Sequence, residues 1–270
     1  MTNETNPEPL TTSEGLDEHD RARRFSGVRR LYGEPGIARF ARARVCVIGM
    51  GGVGSWAVEA LARNGIGRLT LIDLDNIALS NVNRQLHALE GEFGKAKVAA
   101  MAQRIHVINP DCEVREIEDF ITRDNLEALL AEPFDAILDA IDDAPAKVAL
   151  AAFCRQRNIP LVMAGGAGGR IDPTRIRHGD LARSSGDRLL AKVRNSLRRD
   201  HGFPRGDKAK FGITCVYSDE PLRKPLAYSC DVEDDTLTGL NCSGYGSSVC
   251  VTAPFGFAAA ALVLNRLAES

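Results

Sequence analysis

The stretch VCVIGMGGVGSWAVEALARNGIG, from Val45 to Gly67, constrains the fold more than any other part of the chain. An apolar run ends at Gly49, Gly51, Gly52 and Gly54, and helix-forming residues follow at once. The spacing is G-x-G-x-x-G. Between a strand and a helix, such glycines let backbone N–H groups and the positive end of the helix approach a phosphate. Asp73 closes the next strand-like run, RLTLID. An acid at that distance typically accepts hydrogen bonds from ribose hydroxyls.

The pattern then repeats. Strand-like runs at Arg44–Gly49, Arg68–Asp73, Glu113–Glu118, Asp135–Asp142 and Pro160–Gly166 alternate with helix-like runs at Ser55–Gly65, Lys95–Asn109, Arg123–Ala131 and Ala144–Asn158. Such alternation calls for a Rossmann-like α/β fold, a parallel sheet with helices on both faces. Ligands of these sheets lie beyond the carboxyl ends of the strands. After Gly169 the regularity fades into a polar, basic stretch, short strand-like pieces such as GITCVYS, and a last helix ending near Leu267. We expect a flexible tail over residues 1–22, and one nucleotide-binding domain over 23–270 with a mobile basic insertion around 183–212.

Two totals exclude whole classes of function. The net charge of −2 gives no global field for nucleic acid, so any such contact must come from a local patch. The seven cysteines are scattered, odd in number and never spaced CxxC. That argues against a disulfide framework and a four-cysteine zinc site, and makes a reducing cytosol the simplest compartment. The N-terminus has no apolar signal core. The apolar stretch Val249–Leu264 holds Pro254 and Gly256 and is shorter than a bilayer span, so it reads as a core or interface helix with no membrane span.

The segment after Asp73 separates a redox cofactor from a fuel. DLDNIALSNVNRQLHALEGEFGKAK carries Asn81, Arg84, Gln85, Lys95 and Lys97. A dinucleotide's diphosphate needs few cations beyond the loop. A triphosphate brings about two more negative charges, and nearby cations stabilise both it and its pyrophosphate leaving group. Asp139 and Asp142, in LDAIDD, fall where the nucleotide should lie. A carboxylate there suits Mg²⁺ held against phosphate oxygens, and we assign that role to Asp142. Asp143 is expected to cap the following helix.

Two further segments carry chemistry. RLLAKVRNSLRRDHGFPRGDKAKFG, Arg188–Gly212, is the best nucleic-acid candidate, with Arg194, Arg198, Arg199, Lys208 and Lys210 as the expected phosphate contacts. Helix spacing places Lys192, Arg198 and Arg199 near one another. A solvated helix and loop is the competing reading. Cys242, in NCSGYG, is either an accessible nucleophile or a small buried hydrophobe.

Taken together, the glycine loop, LIDLDNIALSNVNRQ, the FGKAK lysines and DAID resemble the ubiquitin-activating-enzyme-like superfamily, whose members bind ATP and Mg²⁺ and adenylate a carboxylate. The resemblance implies that Gly49, Gly51, Gly52 and Gly54 line the phosphates and that Asp73 meets the ribose. It also implies that Asn81, Arg84, Gln85 and Lys97 contact phosphates, with Arg84, Lys97 and Asp142 carrying the chemistry. Longer motifs, RFSGVRRLYGEPG, MAGGAGGRIDPT and CSGYGSSVCVTAPFGF, resemble the superfamily's tRNA-modifying members. These use ATP to close a threonylcarbamoyl-modified adenosine beside the anticodon into a cyclic form. The implied partners are tRNA, a second copy of the chain as a homodimer, and a cysteine-desulfurase or sulfur-acceptor system. The two CxxC pairs of the sulfur-carrier adenylyltransferases are missing, so structural zinc is not implied. Of their near-N-terminal arginine pair only Arg24 is matched, and Gly27 stands where the second would be.

Three functions compete on this reading. The first is the tRNA-modifying dehydratase. The second adenylates the C-terminal glycine of a small sulfur-carrier protein. The third is an NAD-dependent oxidoreductase, which leaves the Arg84 and Lys97 region without a purpose. A non-catalytic nucleotide-binding scaffold is a remote fourth.

Overall fold

The computed structural model describes residues 17–206, 208–223 and 245–269. Two helices open it, α1 (Glu18–Arg24) and α2 (Ser26–Arg42), the second kinked at Gly33 (φ +72°) just before Pro35. Then come β1 (Arg44–Ile48), α3 (Gly54–Arg63), β2 (Arg68–Ile72), α4 (Lys97–Ile108), β3 (Glu113–Ile117), α5 (Leu126–Leu129), β4 (Ala136–Asp139), α6 (Ala144–Arg157) and β5 (Leu161–Ala164). The remainder is β6 (Ile176–Asp180), α7 (Arg188–Asp200), β7 (Thr214–Ser218) and α8 (Val249–Glu269).

The strands make one seven-stranded sheet in the order β3-β2-β1-β4-β5-β7-β6. Every pair is parallel except β6 with β7. The apolar runs at β1, β4 and β5 are continuous because both faces of a central parallel strand are covered. Alternation along β1 divides the core: Val45 and Val47 join Leu61, Phe255 and Val263, while Cys46 and Ile48 join Leu150, Phe153 and Leu190. Helices therefore cover both faces, as expected.

α8 lies against α3 so closely that a Cβ on Gly256 would stand 2.4 Å from the Val53 carbonyl oxygen. It is long and apolar enough to cross a bilayer by length and composition, and 50% of its most apolar window is buried in this packing.

Four expectations need correction. The helix foreseen over Arg123–Ala131 is the single turn Leu126–Leu129, because Asn125 bonds Thr122 N–H and the Phe120 carbonyl and so holds a loop in place of a first helical turn. The strand foreseen to Asp142 stops at Asp139, whose Oδ1 accepts from the Ile141 N–H and turns the chain. The basic stretch is a packed helix where a mobile insertion was expected: Asp187 caps α7 through the Leu190 N–H, and Leu189, Leu190, Val193 and Leu197 are buried. Helical structure begins at Glu18, within the segment expected as a tail. Arg24 is exposed and donates to the Ile108 carbonyl at the end of α4 (3.0 Å).

Candidate active site

The glycine loop joins β1 to α3, and its glycines do two different jobs. Gly49 takes φ +90°, and a Cβ there would meet the Ala140 carbonyl at 2.9 Å. A Cβ on Gly54 would collide with the Gly49 carbonyl at 1.7 Å. These two close the turn. Gly51 opens onto free space, and Gly52 backs onto the Arg84 side chain and Thr252. The loop and the α3 N-terminus thus present backbone and a positive helix end to the cleft.

That cleft, about 1680 Å³, runs along the carboxyl ends of β1, β2, β4 and β5. It exceeds the ~300–1,000 Å³ of ordinary small-molecule pockets, so there is room for a nucleotide and part of a second substrate. Asp73 stands at its edge. One oxygen accepts from the Met50 N–H (2.5 Å), the other from the Asp75 N–H (2.8 Å). Burial raises its pKa, while Lys97 and these two N–H groups oppose the rise.

Lys97 is only 4% exposed, and its Nζ reaches Asp75 (2.6 Å) and, more distantly, Asp73 (3.9 Å). Arg84 lines the cleft with its guanidinium on the Ser80 carbonyl (2.7 Å) and Asn83 Oδ1 (2.9 Å). Burial lowers its pKa and the negative charge of Asp142 pulls it back up. Asp142 itself is exposed on the cleft, while Asp143 caps α6 through the Ala146 N–H (2.8 Å).

The remaining expected residues divide. Gln85 lines the cleft, and its buried Oε1 has no partner; Thr252 Oγ1 beside it is in the same condition. Buried polar atoms of this kind are ready for a ligand or an ordered water. Asn81 lies away from the cleft lining, its Oδ1 spent on the Ala78 N–H. Arg199 faces the cleft, but Arg194 and Arg198 do not. Arg194 donates to Ser184 (2.7 Å to the carbonyl), and Arg198 to the Pro204 and Ala182 carbonyls. Lys208 and Lys210 are exposed on the loop beyond α7. Cys242 lies outside the described residues.

Sequence reasoning missed three groups. Lys147 and Asp139 form a fully buried ion pair, 0% exposed at both ends and 3.0 Å apart, and Lys147 Nζ also donates to the Ala164 carbonyl (2.7 Å). The pair ties the turn after β4 to the end of β5, where the cleft-lining Gly165 and Gly166 begin. The available signal was a lysine inside the apolar run of α6. Asp187 accepts from the Gly166 N–H (2.9 Å) and faces Arg170 (3.5 Å). The third is His87, 4% exposed with both ring nitrogens unpartnered.

His87 makes a pH prediction. Burial, with Lys97 nearby, holds its pKa down from 6.5 to about 4, although Glu92 pulls the other way. The unfolded chain takes up this proton through 6.5 and the folded chain only near 4, so the unfolded state binds more protons in between. Stability conferred by a neutral His87 is therefore complete above the higher value and falls as pH drops between the two, by on the order of 3 kcal/mol. His87→Phe should flatten this slope between pH 7 and pH 4.5 in urea unfolding. An unchanged slope would remove His87 from the account.

Comparison with known proteins gives the family. The sequence pattern of the ThiF family matches residues 24–268. The chain belongs to the ThiF family. Within that family it is similar to the tRNA threonylcarbamoyladenosine dehydratase of Haemophilus influenzae, at 44% identity over 260 residues, covering 96% of this chain and 97% of that one. It is 47% identical over 250 residues to the Escherichia coli protein of the same name, covering 90% and 93%. The solved structure of Escherichia coli tRNA N6-threonylcarbamoyladenosine dehydratase in complex with ATP superposes with a TM-score of 0.84 at 44% identity, over 93% of this chain and 96% of that chain. The seven-stranded α/β architecture is thus that of a ThiF-family protein known with ATP bound.

Proposed function

We propose that this chain is an ATP-dependent tRNA-modifying enzyme that dehydrates threonylcarbamoyladenosine beside the anticodon to its cyclic form. The observation that carries the proposal is the convergence of Gly51, Gly52, Arg84 and Lys97 on one cleft. The names of the relatives matched over nine-tenths of the chain support it.

A carboxylate is a poor electrophile because oxide is a poor leaving group. In the first step a threonine carboxylate oxygen attacks the α-phosphorus of ATP, and pyrophosphate departs with the electrons of the broken P–O bond. In the second, a neighbouring atom of the same substrate attacks the acyl carbon and loses a proton. AMP leaves carrying the carboxylate oxygen, and a five-membered ring closes. The net change in the nucleoside is the loss of one water. Ring closure within one molecule has a high effective molarity, so no enzyme nucleophile is required.

The chain's part is electrostatic and positional. The α3 N-terminus and Gly51–Gly52 backbone hold phosphate oxygens, while Asp73 takes the ribose hydroxyls. Arg84 and Lys97 neutralise the charge that grows on the departing pyrophosphate. Gln85 and Thr252 offer the polar atoms that the fold leaves unpaired. Among the described residues no cluster of three metal-ligating side chains exists, and Asp139 is taken by Lys147. Asp142, exposed on the cleft, would hold Mg²⁺, which is commonly bound by one carboxylate together with substrate phosphates. The ion would supply further charge neutralisation.

We read residues 23–270 as one adenylating domain, acting in the cytosol. Its described cysteines are free, and burial pushes Cys112, Cys154 and Cys215 up to about 12, which makes them inert structural thiols. A homodimer is supported by exposed apolar side chains around the start of α8, namely Val82, Val249 and Phe257. Asn83 donates to the Ser247 carbonyl and so ties the Val82 segment to the start of α8.

One experiment decides. The protein is incubated with ATP, Mg²⁺ and tRNA carrying the linear modification, and the adenosine product is weighed after digestion to nucleosides. The expected result is a loss of one water with stoichiometric AMP. ATP–pyrophosphate exchange only with a small sulfur-carrier protein would favour the alternative adenylyltransferase, and hydride transfer would overturn both.

A further inference from the structure

The cleft continues past the nucleotide loop onto one face of α7. Arg188, Lys192, Asn195 and Arg199 all line it. Their spacing, three or four residues apart, is that of a single helical stripe. The opposite face is apolar and buried through Leu190, Val193 and Leu197. Arg194 and Arg198, nearest to the stripe in sequence, are committed to carbonyls of Ser184, Pro204 and Ala182 and unite α7 with its flanking loops. Burial lowers the Arg194 pKa, as befits a cation serving the fold.

The cations of the stripe have lighter duties. Arg188 touches the Tyr245 hydroxyl (3.2 Å), and Arg199 holds its exposed neighbour Asp200 (2.8 Å) and Ser196 (3.2 Å). Lys192 is exposed. Exposed pairs such as Arg199 with Asp200 are worth little, so a phosphate can exchange for the carboxylate at small cost. Of the cleft's other acids, Asp73 and Asp75 are paired with Lys97 and Asp187 faces Arg170, whereas Asp119, Glu127, Asp142 and Asp143 come from the segments after β3 and β4. A polyanion entering this cleft is repelled by those segments and attracted by α7.

We infer that the Arg188–Lys192–Arg199 stripe of α7 holds backbone phosphates of the RNA strand next to the reacting nucleoside, and so delivers that nucleoside along the cleft to the glycine loop. This rests on the tRNA reading above. It reassigns the RNA contact from Arg194 and Arg198 to residues one helical face away. Asn195 adds a neutral donor between the cations.

The test is a triple variant, Arg188→Ala with Lys192→Ala and Arg199→Ala, studied in the full chain. tRNA affinity is measured across salt concentrations. Each lost phosphate contact lowers the slope of log K against log salt by about 0.7–0.9, so a loss of about 2 overall is expected. KM for tRNA should rise at least ~10-fold, while ATP affinity, measured without tRNA, stays at the wild-type value. The charge-conserving Arg188→Lys with Arg199→Lys should keep most of the salt slope, which separates charge from shape. A triple variant that binds tRNA with unchanged affinity and slope overturns the inference. Binding is read apart from turnover. A wild-type protein that binds tRNA through this stripe but forms no AMP defeats the proposed reaction and leaves the stripe standing.

Discussion

Arg84→Ala will form AMP at least ~10²-fold more slowly than the wild type at saturating ATP and tRNA, with the melting temperature within about 3 °C. The magnitude is that of removing one preorganised charged donor from a site where negative charge develops. The fold should survive because, among the described residues, the guanidinium's hydrogen bonds go to the Ser80 carbonyl and Asn83 Oδ1, both on exposed residues. The structural contact of this residue is made by its backbone, whose carbonyl accepts from Trp56 Nε1 (3.0 Å), and that is kept in the variant. Arg84→Lys should recover only part of the rate, since an ammonium lacks the planar fork that engages two phosphate oxygens. Quenched-flow measurement of pyrophosphate release reads the adenylation step directly. Wild-type release in the alanine variant would mean that the triphosphate lies elsewhere.

Lys147→Met is expected to lower stability by ~3–5 kcal/mol, because it leaves Asp139 charged and alone where no water reaches. In a chain of this size that is a fall of roughly 10 °C in melting temperature. Asp139 already has its pKa raised by burial, with Lys147 as the chief opposing influence, so the variant should also bind a proton at this carboxyl more readily. Adding Asp139→Asn removes the stranded charge and preserves an acceptor for the Ile141 N–H. The double variant should therefore regain most of the loss. Equal midpoints for the single and double variants in urea titrations would show that the pair is not energetically coupled.

How much of this was readable from the residues alone depends on which physical rule dominated locally. Continuous apolar runs and the G-x-G-x-x-G spacing gave the parallel strands and the loop, because burial on both faces and backbone approach to phosphate leave few alternatives. Arg84, Lys97, Gln85 and Asp73 stand out because polar residues crowd one short segment after β2, and all four line one cleft. Asn81 belonged to the same crowd but serves a turn, and only the Ala78 contact reveals that. Composition flagged the basic stretch, but composition does not say which cations a helix turns inward. The partition between Arg199 and Arg198 depends on helical phase and on carbonyls at positions 182, 184 and 204. Lys147 showed only as a lysine within the apolar run of α6, and the roles of Lys147 and Asp187 were hidden for a related reason. Each is defined by a partner from another strand or loop, and sequence distance carries no sign of it.

The contact between Gly256 and Val53 has a consequence for how the protein is made. The glycine loop is seated against a helix that leaves the ribosome long after the loop itself. Until α8 arrives, the apolar flank of α3 is uncovered and the wall behind Gly52 lacks Thr252. A nascent chain holding only the nucleotide motif should be a client for chaperones and a poor binder of ATP. Competence to bind ATP is thus acquired only after α8 has been made.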